Sequence, residues 1–303
     1  MRLGAIDVGT NSCRMLAVEY NQGTIKQIKR GMKITRLGQG VDNNKRLDGE
    51  AVERTLKAIV DFVNQMNEIE VEKISINGTS ALRDVDNSSQ LVDGVYEKTG
   101  HTLNIISGDE EARLNYIGVS HHEHINNIII DIGGGSTEFI WQKDGEFSYK
   151  SLDMGAVRMT ERFVVDPEDI IGEQEMILIE KEVRNLIKKE LNVNVTDIDK
   201  AVGLGGTITT IAAISQQMIE YDTDKIENYG LKIEKIKEIL DRLKDMVLEQ
   251  RKKVEGLQSA RADIIVAGIQ ILYVSMVELK LREIIVSEHD LLYGAIIEMA
   301  EGE

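Results

Sequence analysis

Asp131-Ile132-Gly133-Gly134-Gly135-Ser136 closes an apolar run that starts at Asn127, and Asp7-Val8-Gly9-Thr10-Asn11-Ser12 closes another that starts at Leu3. The two Asp residues lie 124 positions apart, and so do the two Ser residues. Each motif leads into a second strand-like segment, a turn (Asn21-Gln22-Gly23 in one copy, Asp144-Gly145 in the other) and a third strand-like segment. β-Branched and apolar runs punctuated by Gly and Asn read as strands. The spacing is too long for a solenoid. It predicts a duplicated β-hairpin unit in two similar lobes, each presenting one loop to a shared cleft.

The flanking sequence fits an α/β chain. Strands are expected at 3–8, 12–20, 24–37, 73–77 and 103–106, then again at 200–204 and 282–287. Between them, Val52, Leu56, Ile59, Val60, Val63 and Met66 recur at helical period over 48–67, with Asp48 as N-cap. Further helices are expected at 87–99, 108–119, 173–190, 233–253 and 260–279, and from Ile208 and Asp290 onward. Strands alternating with helices argue for layered α/β architecture. The lobe boundary is expected near 122, giving lobes 1–122 and 123–289, with the terminal helix 290–303 a candidate to complete the first.

Composition excludes several classes. The 303 residues carry 36 Lys+Arg against 52 Asp+Glu, a formal charge of −16. That balance argues against a nucleic-acid binder, and 13 aromatic residues leave little for base stacking. One cysteine, Cys13, excludes an internal disulfide and a cysteine-cluster metal site; it reads as a small buried side chain. Asp7 interrupts any signal-peptide core, and the longest apolar stretch, 264–277, is too short for a membrane span. A cytoplasmic protein without membrane partners is the expectation. Residues 21–41 run against the overall charge, with Lys26, Lys29, Arg30, Lys33 and Arg36 and no acid before Asp42; this is either a solvated strand face or a guide for a polyanion.

The two Asp-x-Gly loops are the first candidates for chemistry. Gly and small hydroxyl residues after a strand let backbone amides converge on an anion, and an Asp before the turn can hold hydrated Mg²⁺ beside it. A single copy is also ordinary turn chemistry; two copies at equal offsets favour the anion reading. Gly205-Gly206-Thr207 ends a strand and opens a helix, which suits either a phosphate at the helix N-terminus or a plain tight turn. In Ser107-Gly108-Asp109-Glu110-Glu111, Ser107 and Glu110 fit a capping box. Glu111 is then left as either a proton acceptor or a solvated acid favoured by the helix dipole. Arg83, in Thr79-Ser80-Ala81-Leu82-Arg83-Asp84, follows a strand end and can fork onto phosphate or pair locally with Asp84. His121-His122-Glu123-His124 has metal-like spacing but sits where a polar loop is expected.

Taken in order, Ala5–Ser12, Thr79–Asp84, Ser107–Arg113, Asp131–Glu138, Met154-Gly155-Ala156-Val157-Arg158 and Gly205-Gly206-Thr207 resemble the exopolyphosphatase / guanosine pentaphosphate phosphohydrolase family of the actin-like and sugar-kinase-like phosphotransferase superfamily. The resemblance covers nearly the whole chain. It implies two actin-like, ribonuclease H-like lobes with a phosphate-binding cleft between them. It implies Mg²⁺-dependent removal of the terminal phosphate of inorganic polyphosphate, with 5′-phosphate removal from pppGpp as the alternative and a non-catalytic polyphosphate or (p)ppGpp sensor as a further one. Glu111 falls on the family's catalytic base and Arg83 on a cleft-facing arginine. Gly9, Thr10, Asn11, Ser12, Gly133, Gly134, Gly135, Ser136, Thr137, Gly205, Gly206 and Thr207 fall on phosphate-binding positions. Asp131, Glu138 and Asp7 fall on the metal region. Homodimers are common in the family. Longer relatives carry an additional C-terminal helical region, so this chain resembles the short form. The family's Gly-Leu-Arg-Glu-Gly segment is replaced here by Glu288-His289-Asp290-Leu291-Leu292-Tyr293-Gly294, and that arginine's role does not carry over.

Overall fold

The computed structural model describes residues 1–121, 127–143, 146–191 and 200–302, which fall into two compact units. One unit comprises 1–123 with 289–303, the other 124–288. The turn at Asp144-Gly145 and His122 to His124 lie outside the described residues.

The first unit holds β1 (Arg2–Val8), β2 (Ser12–Asn21), β3 (Thr24–Ile34), α1 (Val41–Asn44), α2 (Gly49–Glu68), β4 (Lys73–Gly78), α3 (Ser80–Arg83), α4 (Ser89–Thr99), β5 (Leu103–Ile105) and α5 (Gly108–Ser120). The second holds β6 (Asn127–Ile132), β7 (Thr137–Lys143), β8 (Glu146–Leu152), α6 (Ala156–Phe163), α7 (Glu173–Glu190), β9 (Lys200–Leu204), α8 (Gly205–Ser215), α9 (Thr223–Ile226), β10 (Gly230–Lys232), α10 (Ile233–Lys244), α11 (Leu248–Arg251), α12 (Ile265–Glu278) and β11 (Glu283–Val286). The chain then returns to the first unit as α13 (Leu291–Glu301).

The sheets repeat one topology. Their orders are β3-β2-β1-β4-β5 and β10-β11-β9-β6-β7-β8. In each, an antiparallel three-strand meander is followed by two parallel strands reached through helices, and the second sheet adds β10 as an antiparallel edge strand. The repeat read from the sequence is therefore a repeat of architecture.

In the first unit, alternation along β1 sends Ile6 and Val8 to a core closed by α2 and α4, and Leu3 and Ala5 to a second core closed by α13. Asp48 caps α2 as expected, accepting from the Ala51 amide at 3.0 Å. Helix α13 lies against α5 and β1. Gly294 makes this approach possible, because a Cβ there would overlap the Leu114 carbonyl oxygen. Gly294→Ala should cost about 1–3 kcal/mol through forced separation of α13 from α5, read as a lowered melting temperature by circular dichroism.

Three expected boundaries move. Strand 24–37 stops at Ile34, because the Thr35 and Arg36 amides leave the sheet and donate to the Asn11 carbonyl. The expected helix 233–253 ends at Lys244, so Met246 and Val247 are not on its buried stripe. The interruption serves Arg251, a fully buried side chain that donates to the carbonyls of Ala262, Pro167 and Asp169. Helix 260–279 begins only at Ile265, after a 3₁₀ turn over Ser259–Arg261.

Candidate active site

In the first unit the loop after β1 is closed by Gly9 N–H donating to Ser12 O at 3.0 Å. Its carbonyls are committed elsewhere: Asn11 O accepts from Thr35 and Arg36, and Thr10 O accepts from Gly38 at 2.9 Å. The amides of Thr10 and Asn11 find no acceptor among the described residues. Thr10, Asn11 and Ser12 are buried, and the Asn11 side-chain amide nitrogen has no hydrogen-bond partner among the described residues. A loop whose oxygens are tied down and whose N–H groups are not is suited to an anion.

Asp7 stands directly across from Arg14 in the β1–β2 register. Arg14 forks onto Asp7 Oδ2 at 2.6 and 3.0 Å and reaches Asp290 with its other nitrogen. Asp290 also caps α13, accepting from Leu292 N–H at 3.0 Å. Burial pushes the Asp7 carboxyl above the usual range, Arg14 opposes this, and Asp290 adds to it. Asp7 Oδ1 is buried and has no hydrogen-bond partner among the described residues.

Glu111 sits in the first turn of α5. Ser107 caps that helix through the Glu110 amide at 3.1 Å. The reciprocal half of the expected capping box is not made; Glu110 turns instead to Arg113 at 2.8 Å, and Arg113 reaches on to Glu298. Glu111 is only 8% exposed, so it is no solvated acid. Arg83, at the end of α3, donates to Glu111 Oε2 at 2.7 Å and to the Ile106 carbonyl at 3.1 Å. Burial raises the Glu111 carboxyl, Arg83 counters it most, and the charges of Asp7 (raising) and Arg14 (lowering) also reach it. The first unit thus holds three buried acids, Asp7, Glu111 and Asp290, paired with two half-buried arginines, Arg14 and Arg83.

In the second unit the loop after β6 repeats the closure, Gly133 N–H donating to Ser136 O at 3.0 Å. The start of α6 ties down its carbonyls: Ala156 N–H donates to Gly133 O, Val157 and Arg158 N–H to Gly134 O, and Arg158 Nε to Gly135 O at 2.7 Å. Gly155 is required because a Cβ would overlap Gly134. Thr137 donates its hydroxyl to Met154 O. The amides of Gly134, Gly135 and Ser136 find no acceptor among the described residues.

Asp131 and Glu138 face each other across β6 and β7, both buried, on the sheet face opposite Ile130 and Phe139. Ser151 donates to Glu138 Oε1 at 2.7 Å. Like charges directly opposite on neighbouring strands repel, and a cation relieves that repulsion. Among the described residues no group of three or more His, Cys, Asp or Glu is arranged to hold a metal ion by itself. Two carboxylates fit Mg²⁺, which keeps water or phosphate oxygens in the rest of its shell. Asp7, the third expected metal residue, lies in the other unit, with Oδ2 bound by Arg14 and Oδ1 buried. Arg14 and Glu138 are themselves 124 positions apart, so the duplicated position carries a cation in one unit and an acid in the other.

Gly205 takes φ +87° and leaves room for Asp131 Oδ1, which a Cβ would overlap. A Cβ on Gly206 would overlap the Arg261 guanidinium. Arg261, 8% exposed, thus lies over the start of α8. Sequence reading missed it; its signal was a lone cation among the small residues Ser259, Ala260 and Ala262. Lys33 of the basic segment pairs with Asp61 at 2.5 Å and lies over Phe62, joining β3 to α2. Cys13 is buried, which pushes its thiol well above the usual range.

The model of the Ppx/GppA phosphatase family matches residues 16–303. Exopolyphosphatase 2 of Mycobacterium tuberculosis is 32% identical over 317 aligned positions, covering 99% of this chain and 98% of that protein. A bifunctional 3-dehydroquinate synthase/phosphatase of Fusobacterium nucleatum is 34% identical over 318 positions; the chain spans 46% of that longer protein. Among solved structures, a Ppx/GppA family member from Aquifex aeolicus superposes with a TM-score of 0.83 at 28% identity, covering 100% of this chain and 98% of that one. An exopolyphosphatase from Cytophaga hutchinsonii does so with 0.90 at 25% identity, with coverage of 100% and 98%.

Proposed function

The chain belongs to the Ppx/GppA phosphatase family, and we propose from that premise that it is an exopolyphosphatase, hydrolysing the terminal phosphoanhydride bond of inorganic polyphosphate. The observation that carries this reading is Glu111: a buried carboxylate, made more basic by its surroundings, in the same unit as an amide-lined loop.

Glu111 takes a proton from water as the water oxygen bonds to the terminal phosphorus. The P–O bond to the next phosphate breaks, and the shortened chain leaves with the electron pair. Amides at 10–11, in the same unit as Glu111, offset the charge of the phosphoryl oxygens, at no reorganisation cost because their loop is already tied; the second unit's amides at 134–136 form a loop of the same kind. Asp131 and Glu138 would hold Mg²⁺, whose chemistry is to neutralise charge on phosphate oxygens. Arg261, over the start of α8, adds positive charge beside the Gly205-Gly206-Thr207 turn.

The test is phosphate release from short polyphosphate, long polyphosphate and pppGpp, side by side with Mg²⁺. Release from polyphosphate that stops on chelation is expected; no release from any polyphosphate would overturn the reading. Glu138→Gln should raise the Mg²⁺ concentration for half-maximal rate by about tenfold or more, measured by metal titration of phosphate release. Because Glu111 must be ionised to act and burial raises its pKa, kcat/KM should fall on the acid side above the ordinary Glu range of about 4.3. Arg83→Gln removes a lowering influence, so its acid limb should lie at still higher pH.

A further inference from the structure

Arg83 holds the group that the proposed reaction needs unencumbered. Its guanidinium occupies Glu111 Oε2 at 2.7 Å, a charge-assisted hydrogen bond to the atom that would accept the proton. A base so engaged is masked. Of the two side chains Arg83 is the more open, at 20% exposure against 11% for Glu111. It ends the one-turn helix α3, immediately after β4, where ligands meet parallel sheets. The same guanidinium also donates to a main-chain carbonyl, Ile106 O, at 3.1 Å.

We infer that Arg83 is a substrate-driven release for the base: it pairs with Glu111 until a phosphate arrives, then transfers its fork to the phosphate oxygens and frees the carboxylate. A guanidinium fork matches phosphate geometry, and a multiply charged phosphate outbids a single carboxylate for it. The charges that then act on Glu111 include Asp7 and Arg14, and Arg14 is already committed to Asp7 and Asp290. The charge that masked the base now binds substrate, so activation and binding are one event.

This inference rests on the exopolyphosphatase reading, and its test separates the two. Methylenediphosphonate, which has no cleavable bridge, is titrated calorimetrically into wild type, Glu111→Gln, Arg83→Gln and the double variant with Mg²⁺. With Arg83 present, Glu111→Gln should tighten binding, because the arginine no longer has to be withdrawn from a carboxylate. That gain should be roughly tenfold larger than in the Arg83→Gln background, within the coupling seen for contacting residues. Equal tightening in both backgrounds would mean simple relief of charge repulsion and would overturn the inference, as would no tightening with Arg83 present. Wild-type phosphate release by Glu111→Gln would instead overturn the base assignment, whatever the binding cycle shows. Should Arg83→Gln fail to fold, Arg83→Lys completes the cycle; a lysine cannot fork, so the gain from Glu111→Gln should shrink but persist.

Discussion

Glu111→Gln is expected to lower kcat for phosphate release from polyphosphate by roughly 10²–10⁴-fold, the usual worth of a positioned general base. The amide keeps the shape of the side chain and can still accept from Arg83, but it cannot take up a proton at any working pH. The variant should therefore lose turnover while its circular dichroism spectrum stays native. Its stability shifts by the balance of two effects: Arg83 exchanges a carboxylate partner for a neutral one, and a buried charge is removed. Steady-state phosphate release at matched folded concentration separates lost turnover from that shift. A rate within a few-fold of wild type would remove Glu111 from the chemistry.

Arg14→Met should produce the largest loss of stability, about 3–5 kcal/mol, the cost of leaving a buried charge without its partner. Two carboxylates lose their counterion together, since Arg14 is shared by Asp7 and Asp290. At roughly 2–4 °C per kcal/mol for a unit of this size, the melting temperature should fall by about 10 °C. The loss depends on pH. The Asp7 carboxyl is raised in the folded protein, so its protonated form favours folding at low pH and that advantage disappears as pH rises through the folded value. Without Arg14 the carboxyl is raised further. The penalty of Arg14→Met should be greatest near neutrality and shrink on acidification, measured by melts across pH. A pH-independent difference would mean that lost packing, not lost charge, is responsible.

The repeat was legible because glycine and small hydroxyl residues keep a fixed offset from an Asp that ends a strand. Helix α2 was legible because its apolar stripe and Asp48 cap are local. What depended on distant partners was not. Nothing near Arg14 announces Asp290, which lies 276 positions away and meets it only because α13 returns to the first unit. Glu110 looked like half of a capping box by spacing, yet Arg113 is a stronger partner than a main-chain amide and is itself drawn to Glu298. Arg261 gave the weakest signal, because its significance comes from the bare Cα of Gly206 beneath it. The break after α10 was hidden because the apolar period ran through it, while Arg251 required the chain to turn.

Position 14 and its counterpart 138 have a consequence for anyone rebuilding this chain from its halves. The two units inherit the same strand-loop-strand scaffold and the same closure of the loop, so a tandem of the first unit with itself would look correct at the level of topology. On the proposed reading it would carry two anion-binding loops, each with its acid already paired with arginine, and no facing pair of acids for a divalent ion. One side chain per copy divides the labour between the halves and makes them non-interchangeable.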